Sequence, residues 1–424
     1  MNLLIKILIL QSKIIMIIKP TKLETAKVEL LKNINCKNSN EEISIENTRE
    51  RVNYNEVISK INLPSTANSA VDGYGVLAES LIEDNNVEFQ VIGIAKAGHP
   101  LNVKIKIKEA VEIYTGAMIP QGIDAVIMHE KCNRIGNKVI IKEKVFKYQN
   151  IRPVGENLQK GEIVIAKGKI INAADIGQLA ASGNKTINVY KKIKVSVIST
   201  GDELVDTSIN ILKDGQIYDS NRPMLISLLN ANYLKTIDMG IVKDNRKDLA
   251  LRYEDCLSKS DIVISSGGAS DGIEDHTQNA LRDIGAKCVV WQLAMKPGKP
   301  MAVGIINKKI IFCLPGNPVA AFVCSKLLIK PLVDKLAGGI DLDPFTIKLP
   351  SDFEHKKKPG RAEYLRAKIV NKDNSSFITL HGKKGAGVIS SLTGADGLVE
   401  IPLESENISK GDMLTFIPFD HRGL

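Results

Sequence analysis

The stretch from residue 261 to residue 318 most constrains the fold, because three apolar runs in it each end in a loop rich in glycine or proline. The runs are Asp261–Ser265, Val289–Leu293 and Ile310–Cys313. Strands that end in such loops are typical of a parallel α/β sheet, where the loops form anion sites at the carboxyl edge. Ordinary turns are the alternative interpretation, which explains any one loop more readily than all three.

The rest of the chain divides into regions of different periodicity. From residue 191 to 338, strand-like runs alternate with helical patterns, which predicts a doubly wound, mostly parallel sheet. Period-two alternation dominates residues 61–149 and predicts a β-rich domain. Short strand-like runs from 339 to 424 predict a small β-barrel or sandwich, and residues 150–190 are typical of a connector.

Helices are predicted at three places outside the α/β region. Apolar spacing predicts one over KLETAKVELLKNI, which starts at Lys22, and a second near Arg49–Ile61. A third is expected to begin at Asn172, which can cap it, and to end at Gly183.

The first 18 residues form an apolar N-terminal extension that two lysines interrupt. No unbroken run therefore reaches the roughly 18 residues that a membrane span needs, so no membrane partner is expected. Three alternatives remain for this segment: a true start at Met16, a buried or disordered arm, or an export signal.

Composition narrows the classes of function. The net charge of +9 comes from lysines scattered among acids, and aromatic residues make up only 4% of the chain. Neither arginine forks nor a base-stacking platform is indicated, so no nucleic-acid partner is expected. The six cysteines form no CxxC pair, and no histidine lies at zinc-ligand spacing, which favours reduced thiols in the cytoplasm.

Acidic residues follow several strand-like runs of the α/β region. Glu203, Asp244 and Asp275 each come after such a run and are expected to meet at one edge of the sheet. Separate acids at one edge suit a hydrated Mg²⁺ that also binds phosphate oxygens. A helix N-cap is the alternative role for each acid taken alone.

Lys296 and Lys299 flank Pro297–Gly298, a turn that stiffens and reverses the chain. Both ammonium groups can then reach one phosphate-like anion, and two surface lysines are the alternative. The chain has no GxGxxG motif and no P-loop lysine, so neither a dinucleotide fold nor a P-loop is supported.

The segment LPSTANSAVDGYGV, which starts at Leu63, is a loop by composition. In it, Gly73 and Gly75 are expected to permit unusual backbone angles next to Asp72. Thr115 ends a strand-like run of the same β-rich region, where an ordinary strand-end hydroxyl is the alternative.

Together these motifs resemble those of the MoeA family, which includes the gephyrin E domain. The resemblance runs from about residue 20 to the end of the chain, in order and in every region. The matching segments are NSAVDGYGV (68–76), YTGAMIPQGIDAV (114–126), NIRPVGENLQKGE (150–162), STGDEL (199–204), IYDSNR (217–222), SSGGASDGIEDHT (265–277), KPGKP (296–300) and LPGNPV (314–319).

The resemblance implies a molybdopterin molybdenumtransferase, which inserts molybdate into adenylylated molybdopterin with Mg²⁺ and releases AMP. It implies a homodimer with the site in a cleft between subunits, and a molybdopterin adenylyltransferase as substrate donor. The implied fold has an N-terminal extension (1–18), an elongated two-segment linker domain (19–60 and 150–190), a β-rich inserted domain (61–149), a MogA-like α/β domain (191–338) and a C-terminal β-barrel domain (339–424).

The resemblance also assigns roles to residues. Asp72, Thr115, Glu203 and Asp275 are the expected catalytic residues, and the expected metal ligands are Glu203, Asp244 and Asp275. The expected substrate-binding residues are Gly267, Gly268, Lys296, Lys299, Pro315, Pro318, Arg361 and Arg366.

Three positions depart from the pattern of the family: Asn157, Gln292 and Asp271. Losing a charge and gaining an acid is expected to weaken oxyanion affinity or shift the metal. Two alternatives remain open: a molybdopterin adenylyltransferase, which needs only the α/β domain, and a non-catalytic scaffold. Tungstate as a competitor of molybdate is undecided by the sequence.

Overall fold

The computed structural model of the protein describes most of the chain from Pro20 onwards. The predicted N-terminal extension lies outside the described residues, as do Asp271 and Asp275. Within the described part, no helix is long and apolar enough to cross a membrane. The described residues are 20–33, 36, 39–81, 87–142, 144–268, 276–340, 343–372 and 374–419.

A six-stranded sheet organises the α/β region. Its first four strands in spatial order are parallel, as predicted. The fifth, Pro300–Ile306, is antiparallel to both its neighbours and was not predicted; it starts with a proline, which is tolerated at the first position of a strand. The spatial order is Leu234–Val242, Ile193–Thr200, Ile262–Ser266, Lys309–Leu314, Pro300–Ile306 and Lys287–Gln292.

Helices cover both faces of this sheet, because its strands are apolar on both sides. Ile262 and Ile264 point into one core and Val263 into the other. A single π turn, Ser325–Ile329, interrupts the predicted last helix just before Pro331, which has no N–H to donate. The helices are Asn221–Leu228, Arg246–Lys259, His276–Asp283, Pro318–Cys324 and Lys330–Leu336.

The β-rich region forms a second six-stranded sheet, as its alternation predicts. Its strands in spatial order are Ala125–Met128, Gly73–Val76, Glu109–Ile113, Val87–Ala95, Lys138–Ile141 and Cys132–Ile135.

Gly73 and Gly75 are needed in this sheet for space rather than for backbone angle. Neither has a positive φ. A Cβ on Gly73 would lie 1.8 Å from the carbonyl oxygen of Ile127, and one on Gly75 would lie 2.7 Å from the side chain of Ile123. The expectation of unusual angles was wrong; at Gly73 the backbone of the neighbouring strand leaves no room for a side chain, and at Gly75 the Ile123 side chain occupies the space.

The two segments of the connector region pair with each other. Leu23–Asn33 is helical, and Ala173–Ala181 begins with a capping box in which Asn172 and Asp175 bond each other's backbone N–H groups, so both predictions are confirmed. The paired strands are Asn40–Ser44 with Thr186–Tyr190 and Val57–Ile58 with Ile163–Ile165, and a further pair joins Asn68–Ser69 of the β-rich region to Ile151–Arg152.

The helix predicted near Arg49–Ile61 is wrong. Val52 and Asn53 form bridges to Ile170 and Val189 instead. The Asn53 side chain is fully buried and donates to the backbone carbonyl of Ala166 at 3.0 Å. Long-range pairing therefore overrides the local helical spacing.

The C-terminal region is a β-barrel. Its strands follow one another in the order Ser375–Leu380, Ala362–Lys372, Gly397–Ile401, Met413–Pro418 and Ile347–Pro350, and a bridge from Ser351 to Ile378 closes the ring. A short strand of the α/β region, Met295–Lys296, adds to this barrel, parallel to Ala362–Glu363. Two-residue pairs complete the fold: His355–Lys356 with Asn407–Ile408, and Leu204–Val205 with Ile217–Tyr218.

Candidate functional site

Gly267 and Gly268 form a tight turn at the carboxyl edge of the α/β sheet. Their φ angles are +98° and +70°, in the left-handed region. A Cβ on Gly267 would lie 2.0 Å from the carbonyl oxygen of Thr200, and one on Gly268 would lie 2.5 Å from the hydroxyl of Thr277. Only glycine fits both positions, so the strand ends at Thr200 and Ser266 stay close together.

Acidic side chains lie beside this turn. Asp244 follows the strand Leu234–Val242, and its backbone N–H donates to Asp202 at 3.2 Å. Asp244 Oδ1 is buried, has no hydrogen-bond partner within the described ranges, and would be 3.5 Å from a Cβ on Gly268. Glu203 is exposed two residues beyond Gly201.

The environment of Asp244 disfavours its charged form. Burial raises the pKa of this carboxyl, His276 lowers it, and the negative charges of Asp202 and Glu203 raise it further. A buried carboxylate oxygen with no described donor is a ready ligand for an added cation. We call Asp202, Glu203 and Asp244 the acidic rim.

The predicted metal ligands are only partly brought together. Glu203 and Asp244 lie at the same edge of the sheet, and Asp275 lies outside the described residues. Among the residues that the structure describes, no group of three or more His, Cys, Asp or Glu side chains is placed to hold a metal ion. The role of Glu203 and Asp244 as metal ligands therefore stays a prediction.

Asn221 joins two loops of this edge, which the sequence analysis did not foresee. Its side-chain amide donates to Ser266 Oγ and to the carbonyl oxygen of Gly316, both at 2.7 Å. Next to it, Arg222 is buried and bonds Asp219 at 2.9 Å. In the sequence, these residues were noted only as part of the IYDSNR segment that matches the family, and no role was predicted for them.

A cavity of about 260 Å³ lies between the α/β region and the barrel. Most of the charged residues that line the cavity are lysines and arginines. Five of the lining residues were predicted to bind substrate. Pro318 begins the adjacent helix, and Gly267 and Gly268 belong to the other edge loop. Lining residues that were predicted are Lys296, Lys299, Pro315, Arg361 and Arg366; titratable lining residues that were not predicted are His355, Glu363, His381, Lys383 and Lys384.

Glu363 is the one carboxylate among the described lining residues of the cavity. Its Oε1 accepts from Lys296 Nζ at 3.0 Å, and its Oε2 lies 2.8 Å from His355 Nε2. Burial raises the pKa of Glu363, but the bonds to Lys296 and His355 lower it more, so the net pKa is below its ordinary value. No sequence motif predicts this carboxylate as part of the site, because its partners come from other segments.

Arg366 holds a loop rather than projecting as a free cation. It is buried, and burial lowers its pKa. Its guanidinium donates to Ser391 Oγ at 2.9 Å and to the carbonyl oxygen of Lys383 at 3.0 Å. The loop that carries Lys383 and Lys384 is thereby fixed at the mouth of the cavity.

Asp72 and Thr115 form a separate pair on the β-rich sheet. The backbone N–H and the hydroxyl of Thr115 both donate to Asp72 Oδ1 at 2.7 Å. These two bonds, first the backbone one, hold the pKa of Asp72 below its ordinary value. The pair is exposed and does not line the cavity within this chain.

The fold and its charged regions define a class: a multidomain α/β protein with an acidic rim and a cationic cavity against a β-barrel. Three family models match the chain in order and together span most of it, so the chain belongs to the MoeA family and the resemblance is confirmed. The matches are the MoeA N-terminal region (domain I and II) over 21–183, the probable molybdopterin binding domain over 196–335, and the MoeA C-terminal region (domain IV) over 348–419.

Named relatives agree with this assignment. The chain is 34% identical to the molybdopterin molybdenumtransferase of Haemophilus influenzae, over 94% of this chain and 98% of the relative. It is 29% identical to the enzyme of the same name in Staphylococcus aureus, over 88% of this chain and 90% of the relative. A crystal structure of the molybdopterin biosynthesis MoeA protein of Pyrococcus horikoshii matches with a TM-score of 0.82 and 28% identity, covering 94% of this chain and 100% of that one.

Proposed function

We propose that the protein is a molybdopterin molybdenumtransferase that inserts molybdate into adenylylated molybdopterin and releases AMP. The observation that carries the proposal is the pairing of an acidic rim with a cationic cavity in one chain of this family. Each substrate corresponds to one of these regions. Molybdate is an oxyanion and requires cations, and the phosphate linkage of the pterin requires a metal ion, which the acidic rim would hold.

Mg²⁺ would be held by Glu203 and Asp244, with Asp275 as the third proposed ligand. Asp244 Oδ1, which has no hydrogen-bond partner among the described residues, supports this assignment. When bound, the ion would offset negative charge on the phosphate linkage and on the departing AMP. The turn at Gly267 and Gly268 lets the strand ends approach closely enough to face that linkage.

Molybdate would bind in the cationic cavity. Lys296, Lys299 and Arg361 would supply positive charge, and Arg366 would set the position of the loop that carries two more lysines. Pro315 and Pro318 would keep the neighbouring edge loop rigid. Burial between two regions lowers the local dielectric constant, which strengthens each of these charge-assisted contacts.

Asp72 and Thr115 would complete the site from the second subunit of a homodimer. Mixed dimers test this arrangement. Asp72→Asn and Lys299→Met homodimers are each expected to lose activity, and mixing the two chains should restore about a quarter of it, because half of the dimers then contain one intact site. No recovery in dimers verified to exchange subunits would place both residues in the same chain's site or outside it.

Release of AMP from adenylylated molybdopterin tests the activity directly. The rate is expected to depend on both molybdate and Mg²⁺, and Asp275→Asn is expected to slow single-turnover release. A rate of AMP release that does not depend on molybdate would overturn the proposal. Consumption of ATP without molybdate would support the adenylyltransferase instead, and binding of a partner protein without the pterin would support the scaffold.

The family models over both flanking regions favour insertion over adenylyl transfer, which needs the α/β region alone. We propose further that a molybdopterin adenylyltransferase donates the substrate and that the enzyme works in the cytoplasm. None of the six cysteines, which all lie within the described residues, forms a disulfide, and this supports a reducing compartment.

A further inference from the structure

The cationic cavity contains its own anion. Glu363 is 7% exposed, lies in the lining and bonds Lys296, one of the cations proposed to receive molybdate. The bond is fixed from the backbone, since Lys296 and Glu363 are direct partners in the parallel pairing of two short strand segments. The Lys296 side chain is 58% exposed, so an oxyanion that enters the cavity can reach the same ammonium group that Glu363 already binds.

His355 supports the carboxylate from the opposite side. Its Nε2 lies 2.8 Å from Glu363 Oε2, and its side chain is 8% exposed. Its backbone is held by the pairing of His355–Lys356 with Asn407–Ile408, which brings no titratable side chain to it. The other charged groups that line the cavity are Lys296, Lys299, Arg361, Arg366, His381, Lys383 and Lys384.

When Lys296 turns from Glu363 to an oxyanion, the buried carboxylate loses one of its two partners. Leaving a buried carboxylate without a cation is strongly unfavourable. Imidazole is the side chain whose charge ordinarily changes between pH 5 and pH 8, so a proton on His355 can restore the balance. The proton comes from solvent, and no bond other than N–H forms or breaks.

We propose that His355 and Glu363 are positioning residues for Lys296, and that oxyanion binding in this cavity is linked to uptake of one proton by His355. The inference rests on the proposed function, since it takes molybdate as the ligand of the cavity. It adds two residues to the site and predicts that affinity for the anion falls as pH rises.

Calorimetric titration of the full-length protein with sodium molybdate, in two buffers of different ionisation enthalpy, measures both quantities. For the wild type, we expect the Kd to rise at least about fivefold between about pH 6 and about pH 8, with uptake of close to one proton per site. Molybdate stays a dianion over this range, and any effect of the anion itself would persist in every variant.

Two variants and a control separate the roles. His355→Gln is expected to flatten the pH dependence to within about twofold and to abolish proton uptake. Glu363→Gln is expected to flatten it as well and to bind molybdate at least about threefold more tightly at pH 8, because Lys296 no longer has an internal partner. His99→Gln, at an exposed position of the β-rich region that does not line the cavity, should keep the wild-type pH dependence.

A Kd that does not change with pH in the wild type would overturn the inference and leave the proposed function intact. A pH dependence that survives in folded His355→Gln, or weaker binding by Glu363→Gln, would do the same. Failure of the wild type to bind molybdate at any pH would contradict the anion site itself, and the inference with it.

Discussion

Two carboxyl groups in this protein, Asp244 and Glu363, are both largely removed from water, yet their pKa values move in opposite directions. Burial raises the pKa of each. At Asp244 nearby acids add to the effect, whereas at Glu363 the bonds to Lys296 and His355 outweigh it. The charge of Asp244 would thus be compensated by an added cation, whereas the charge of Glu363 is already compensated by Lys296 and His355. The difference teaches that charge compensation, rather than burial, sets the direction of the pKa shift of a carboxyl group removed from water.

The largest effect is expected from a substitution in the turn beside the acidic rim, which tests whether this turn holds the strand ends of the rim together. Gly267→Ala would combine a left-handed φ with a Cβ 2.0 Å from the carbonyl oxygen of Thr200. We expect it to lower the free energy of unfolding by about 3–5 kcal/mol, measured by urea denaturation. Gly215 is the matched control, since its φ is +81° but its Cβ would meet open space. Gly215→Ala should cost only about 1–2 kcal/mol, and equal losses would contradict the steric argument.

The next largest effect is expected from the cavity. Lys296→Met removes a cation from the anion site and leaves Glu363 with His355 alone. We expect the Kd for molybdate to rise about 10–100-fold in equilibrium dialysis, the range for loss of a charge-assisted hydrogen bond. Lys348→Met is the control, because Lys348 is exposed, lies outside the cavity lining and bonds Thr415 on the barrel. If both variants bind molybdate equally well, the ligand lies elsewhere.

Arg366→Lys tests the hydrogen bonds that position the cavity loop, because it keeps the positive charge of the cavity. The ammonium keeps the charge but cannot span Ser391 and the carbonyl of Lys383 as the guanidinium does. We expect a loss of about 1–2 kcal/mol in stability and about 5–10-fold in molybdate affinity, with faster amide exchange in the loop at 382–386. Arg361→Lys, at an exposed lining position, should leave that exchange unchanged. Unaltered exchange in Arg366→Lys would show that other contacts hold the loop.

The smallest effect concerns the rim acid. Because burial raises the pKa of Asp244, the folded state binds this proton more tightly than the unfolded state does. The penalty on stability is absent below the ordinary value of 3.8 and complete above the folded pKa. Asp244→Asn should therefore gain about 0.5–1 kcal/mol at neutral pH, and the gain should vanish as pH falls towards that value. Denaturation curves at several pH values measure this, and a loss at neutral pH would mean that Asp244 already has a cationic partner.

The sequence predicted the elements whose signals are local. Strands that end in glycine loops, the capped helix at Asn172 and the alternation of the β-rich sheet all depend on neighbouring residues. The helix expected near Arg49–Ile61 failed because Asn53 finds buried partners more than a hundred residues away. The extents of the individual domains stay a prediction, since strands such as Met295–Lys296 pair across the expected boundaries.

The same limit applies to the site. Lys296 is recognisable from its own turn, but its partner Glu363 is 67 positions away and is brought to it only by strand pairing. The bond between Asp72 and Thr115 likewise depends on the sheet, since the two residues are 43 positions apart. The residue types therefore predicted several members of the candidate site, whereas the contacts between them follow only from the fold.

The pairing of Met295–Lys296 with Ala362–Glu363 has a consequence for how this family diversifies. One wall of the anion cavity travels with the α/β region and the other with the barrel, so neither region inherits the cavity alone. Recombination between relatives that exchanged only the barrel would transplant Glu363, His355 and Arg366 together, and would retune anion affinity without altering the acidic rim. The cavity can thus be altered at the boundary between the two regions without a change to the residues of the acidic rim.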